Sequence, residues 1–302
     1  MNILDNLGIS YKASYLIQGN QIERCNTSKN LNVKNTELML RTDGKDSNID
    51  NILKNYKGNI VFHLPAINPD LSNLEVVNKV VKELKNHNIK LVTIDASNLL
   101  LDLFEWSTLE EQKKYFLNVV TALATLASNK IEIAIQNLKP NESDSKFGST
   151  MGQITDIIVY VKRLLRKDFG LKEEEAEKYI GISFNVNNID IKNDAGISNY
   201  LEVFGAYIKC IKICNNEYLK EVLDFIKEKN INIPLFYQTK SDLDEIKGEY
   251  ENFENEVKKY LGIEKKEKNK KVDNKGFSNI IIYTMIVLTI VIVALMFIIK
   301  LR

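Results

Sequence analysis

Eight short apolar runs recur along the chain, spaced too widely to be the arms of hairpins. They are NLGISY (6–11), TELMLRT (36–42), GNIVFHL (58–64), KLVTIDA (90–96), IEIAIQNL (131–138), YIGISFNV (179–186), AYIKCIKIC (206–214) and NIPLFYQT (232–239). Several are rich in Ile and Val, as parallel strands buried on both faces are. Helical patterns fill most of the intervals. In SNLEVVNKVVKELKNHN (72–88), Leu74, Val77, Val80, Val81 and Leu84 make one apolar stripe, with Ser72 as the expected cap. TLEEQKKYFLNVVTALATLASN (108–129) opens on Thr108 and Glu111, the spacing of a capping box. MGQITDIIVYVKRLLRK (151–167) and NNEYLKEVLDFIKEKN (215–230) repeat the period, whereas residues 12–35 are polar and poorly periodic. Strands that alternate with helical crossovers over about 250 residues predict a (β/α)8 TIM barrel across residues 1–260. A doubly wound open sheet is the alternative.

A different kind of segment follows. Residues 261–279 form a lysine-rich linker containing KKEKNKKVDNK (265–275), and IIIYTMIVLTIVIVALMFII (280–299) carries no charge. As a helix those twenty residues would span about 30 Å, the thickness of a bilayer core. A buried globular helix of that length would show a polar stripe. The segment is therefore expected to be a single transmembrane helix, a tail anchor. More positive charge precedes it than follows it, which places the barrel on the cytoplasmic side.

The formal charge of +1 hides an asymmetry. Residues 264–302 hold eight Lys/Arg and three Asp/Glu, leaving 33 basic against 37 acidic residues in 1–263. An acidic globular part argues against nucleic acid as a partner. The three cysteines, Cys25, Cys210 and Cys214, show no disulfide or zinc spacing and are read as structural filler. MNILDNLGIS at the start has no signal-peptide pattern. LKEEEAEK (171–178) reads as a solvated helix face, and Gly148 before a helix start is only a faint phosphate signal. Trp106, in NLLLDLFEWSTLEE, is expected to pack as core or helix staple, with an exposed docking patch as the alternative.

In a barrel, chemistry sits where strands end and βα loops begin. Ser10, His63, Asp95, Gln136 with Asn137, Asn185 with Asn188, Lys212 with Asn215, and Gln238 stand at those places. The set is mainly amides. A lysine in an apolar strand calls for a partner, and Lys212 would pair with Asp95 or bind an anionic ligand such as a phosphorylated sugar. His63 is read as a structural hydrogen-bonding residue and Asp95 as a loop cap, with roles as base or ligand as the alternatives.

The order of these motifs resembles the xylose isomerase-like barrels, and within them endonuclease IV, the zinc-dependent apurinic endonuclease. The resemblance spans roughly residues 55–240. HLPAINP (63–69) is similar to the family's strand-three motif, His followed shortly by Ile-Asn, NIKLVTIDASN (88–98) to its hydrophobic strand ending in His-Pro-Gly, IEIAIQNL followed by FGSTMGQITDII (147–158) to its Glu-Asn motif, and GISFNVNN (181–188) to its Asp-x-x-His. IKICNN (211–216) resembles its His-x-x-Asp, and IPLFYQT (233–239) its closing Glu-Thr strand. Carried over residue by residue, His63 is retained. Asp95, Asn188 and Lys212 stand where the family has His, and Gln136, Asn185 and Gln238 where it has carboxylates. Only two histidines, His63 and His87, exist in the chain. Zinc needs imidazole, thiolate or carboxylate donors, so no metal and no cofactor is expected here.

The resemblance thus implies a catalytically degenerate barrel acting as a binding or scaffold module at a membrane. Its former metal site, His63, Asp95, Gln136, Asn185, Asn188, Lys212, Asn215 and Gln238, would be a pocket for a small polar or anionic ligand, or the barrel would dock a protein. The alternative is an active apurinic endonuclease or a sugar isomerase or epimerase, with zinc as its cofactor.

Overall fold

All eight apolar runs are strands, and they close on themselves. The computed structural model describes residues 2–11, 21–40, 49–139, 145–189, 196–239 and 241–263. In it β1 (Leu7–Ser10), β2 (Asn35–Met39), β3 (Asn59–Leu64), β4 (Leu91–Ile94), β5 (Glu132–Gln136), β6 (Ile180–Asn185), β7 (Ile208–Ile213) and β8 (Leu235–Gln238) pair in sequence order. Every pairing is parallel, and β8 returns to β1 with Leu7 opposite Leu235 and Ser10 opposite Gln238. That last ladder decides for the barrel against the open sheet.

The described helices are α1 (Gln21–Asn30), α2 (Ile49–Asn55), α3 (Leu74–Asn86), α4 (Leu101–Glu105), α5 (Leu109–Ala127), α6 (Met151–Lys167), α7 (Glu173–Tyr179), α8 (Gly196–Phe204), α9 (Leu219–Glu228) and α10 (Ile246–Tyr260). Three of the four helical stretches were legible almost to the residue. Thr108 accepts from the Glu111 amide while the Glu111 carboxylate takes the Thr108 amide, so the capping box is formed. Ser72 does not cap α3. Asn73 holds the cap position, with its Oδ1 taken by the Asn68 amide instead. The connection 12–35 contains a helix after all, because Arg24, Cys25 and Ser28 of α1 are buried although their polarity obscures the period.

Two packing layers result. Residues such as Ile9, Leu38, Phe62, Ile94, Ile135 and Ile182 point outward under the helices and belong to one continuous core. Inside the barrel lies a small separate cluster, Val61, Cys210 and Phe236, with Leu91 against it. Phe236 reaches this position because Gly8 has no side chain: a Cβ there would lie 2.7 Å from Phe236 Cδ1 and 2.5 Å from the Asn35 carbonyl oxygen. Above this apolar floor the barrel interior is polar.

Met1–Leu261 forms one compact unit, and the residues from Gly262 onward fall outside it. No helix among the described residues is long and apolar enough to cross a membrane. The run 280–299 lies outside the described residues.

Candidate functional site

Side chains from strands that are not neighbours meet across the barrel, and the charged ones meet at its centre. Lys212, wholly buried on β7, donates to Glu37 Oε1 of β2 at 2.5 Å and to Gln136 Oε1 of β5 at 2.6 Å. Glu37 is equally buried and accepts two further hydrogen bonds, from the hydroxyls of Ser10 on β1 and Thr93 on β4. Burial by itself would raise the carboxyl pKa, but the Lys212 ammonium, His63 and the donated hydrogen bonds outweigh it and hold Glu37 down at about 2. The pair is therefore ionised. It satisfies its charges internally, the condition under which a buried ion pair is tolerated.

The network continues toward the mouth. Thr93 gives its one hydroxyl proton to Glu37, so it accepts from Nδ1–H of His63, 2.9 Å away. The other ring nitrogen, Nε2, faces Asp95, whose Oδ1 lies 3.7 Å off. The Asp95 side chain is 16% exposed, against 2% for His63. One line of contacts thus runs from Lys212 through Glu37, Thr93 and His63 to a carboxylate that touches solvent.

The amides do something a carboxylate cannot: they donate and accept at once. Asn137, just past β5, gives Nδ2 to the Asn185 carbonyl at 2.9 Å and takes the Asn185 amide on Oδ1 at 2.6 Å. It thereby continues the β5–β6 ladder by a side chain. Asn188 Nδ2 returns a bond to the Asn137 carbonyl at 3.0 Å. Asn185 donates to Gln238 Oε1 across the barrel mouth and accepts from the Asn187 amide. Asn187 Oδ1 in turn takes the Cys214 amide at 2.6 Å, stitching β6 to β7. An Asp at 137 would lose the donor half of its clamp.

Of the eight residues expected at the former metal site, His63, Asp95, Gln136 and Lys212 belong to one contact network, and Asn185, Asn188 and Gln238 to the amide network beside it. Asn215 is not brought in. It is exposed, its Oδ1 accepting the Glu217 amide in the turn before α9. Lys212 pairs with Glu37 and not with Asp95. Glu37 was the missing piece: no rim residue stood out on the second strand, because the acid lies inside TELMLRT and not at its end. The signal that finds it is parity, since Glu37 is an inward position and an acid inside an apolar strand needs a cation as much as Lys212 needs an anion.

A metal ion of the kind the resemblance implies does not fit these residues. No group of three or more His, Cys, Asp or Glu side chains among the described residues is placed to hold one. Lys212 brings a positive charge to the centre and occupies an oxygen of each nearest acceptor. Cys210, on the barrel floor, has its thiol pushed up to about 12, chiefly by burial, and is no thiolate donor.

Two further features lie near this end of the barrel. A cleft of about 370 Å³ opens between the β5 and β6 loops, walled by Asn137, Asn188, Met151, Tyr200 and Phe204. On α4 and the start of α5, Trp106 is 82% exposed and Leu103 and Leu109 are more than half exposed. The packing expected for Trp106 is taken instead by Phe104, stacked on Phe147 at 4.2 Å.

No protein-family model matches the chain, and no curated protein does. Solved structures do. The chain superposes on a 3-keto-D-glucoside 4-epimerase from E. coli with a TM-score of 0.61 at 11% identity, covering 83% of this chain and 99% of the other. A D-tagatose 3-epimerase-like protein gives 0.56 at 17% identity over the same shares. An AP endonuclease of family 2 from Brucella melitensis gives 0.54 at 10% identity, over 78% and 93%. At such identities the likeness is one of fold: this is a TIM barrel.

Proposed function

We propose that this chain is a catalytically retired xylose isomerase-like barrel, tethered to a membrane by residues 280–299 and facing the cytoplasm, where it serves as a binding or scaffold module. The observation that carries the reading is the Lys212–Glu37–Gln136 contact: a protein ammonium holds the barrel centre. The resemblance puts Gln136, Asn185 and Gln238 where endonuclease IV-like barrels have metal-binding carboxylates, and here these amides hold strands together. Changing them back one at a time would not rebuild a site, since the ammonium would remain.

The twenty uncharged residues near the C-terminus, with a lysine-rich linker before them, support the tether. A ligand taken at the barrel mouth would be small and polar, held by amides and by the His63–Asp95 edge. The same edge is what favours the alternative, an apurinic endonuclease or sugar epimerase that still turns over.

Two assays decide between them: cleavage of abasic-site DNA, and epimerisation of ketohexoses, each with zinc or manganese added. The expected outcome is no turnover above buffer. Metal-dependent turnover that His63→Ala abolishes would overturn the proposal.

A further inference from the structure

The short helix α4 faces the wrong way for a soluble protein. Its inner side is pinned: Phe104 stacks on Phe147 at 4.2 Å, and the Leu101 amide donates to the Ser145 carbonyl at 2.7 Å. Its outer side carries Leu100, Leu103 and Trp106, and Leu109 follows at the start of α5, so large apolar residues recur at every third position. They are 37%, 51%, 82% and 68% exposed. Trp106 makes no ring contact among the described residues. Single exposed apolar residues are ordinary, but four in ten positions on a rigidly mounted turn mark a contact surface.

From this surface we propose that the α4 tip is a second membrane contact, inserting Trp106 and its flanking leucines into the interface of the bilayer that holds residues 280–299. The inference rests on the tether proposed above. It commits to lipid because the chain itself supplies the bilayer, and because Trp is the side chain best suited to a boundary apolar on one side and wet on the other. Sixteen residues, 264–279, separate the barrel from the apolar run, a contour length of about 55 Å at most. Asp102, Glu105, Glu110 and Glu111 rim the tip, so the contact weakens as the leaflet it meets gains anionic lipid.

Trp106 is the one tryptophan in the chain, so its fluorescence reports this site alone. The full chain would be reconstituted in phosphatidylcholine vesicles, with and without acyl-brominated phosphatidylcholine, and floated to score the tether separately. The proposal expects the chain to float, most of the Trp106 emission to be lost to the brominated lipid, and iodide to quench it little. Leu103→Glu should float equally yet lose the lipid quenching, as should the unaltered chain when phosphatidylserine replaces much of the neutral lipid. A floating chain whose Trp106 is quenched by iodide and untouched by brominated lipid overturns the inference and leaves the tether standing. Shielding from both quenchers overturns it in favour of a protein contact. Failure to float overturns tether and inference together.

Discussion

Glu37 and Lys212 depend on each other more than either depends on anything else. Removing the cation alone, by Lys212→Met, leaves a carboxylate buried with its strongest partner gone. It should destabilise the barrel by about 3–5 kcal/mol in urea denaturation of residues 1–263. Adding Glu37→Gln to that variant should recover a large part of the loss, since it is the stranded charge that costs most. Acid should expose the same dependence. Glu37 is held at about 2, below its ordinary 4.5, so the folded state binds its proton less readily than the unfolded chain. Its contribution is then present in full above about pH 5 and fades as pH falls from there through about 2. The urea midpoint of the parent protein should decline across that window, and that of Glu37→Gln should decline less.

At the scale of elements, side-chain amides finish the ladder that backbone pairing begins. Asn137→Ala removes both halves of the clamp on Asn185 and should cost about 1–3 kcal/mol, read as a shifted urea midpoint. On the floor, Gly8→Ala should disturb folding or cost about 1–3 kcal/mol, because Phe236 and the Asn35 carbonyl already fill the space its methyl would take. The strands were legible because a parallel barrel asks each for a short apolar run, and all eight had one. The cap of α3 was not, since Asn68, Ser72 and Asn73 all offer side chains there and only their mutual bonds decide which residue caps. α1 was hidden by its polarity. The network around Lys212 was half legible: Gln136 and His63 stood at strand ends, whereas Glu37 sits mid-strand, and only barrel closure carries it to within 2.5 Å of a lysine 175 residues away. Asn215 misled because a residue just past a strand end turns outward as readily as inward.

The molecule as a whole has a barrel whose centre is neutralised by its own side chains, and residues 280–299, outside the described residues, are proposed to anchor it in a bilayer. The tail prediction is simple: the full chain should resist carbonate extraction from membranes, and the chain ending at Ile263 should not. Removing the tail should leave the barrel folded, because Met1–Leu261 is a compact unit on its own. The central claim concerns the barrel, that an ammonium–carboxylate pair occupies the place of a catalytic ion. The most direct measurement is elemental analysis of residues 1–263, purified after expression with zinc and manganese available and verified as folded. The account predicts a metal content near zero per chain, unchanged in His63→Ala. One or more tightly held ions per chain, lost on His63→Ala, would contradict it.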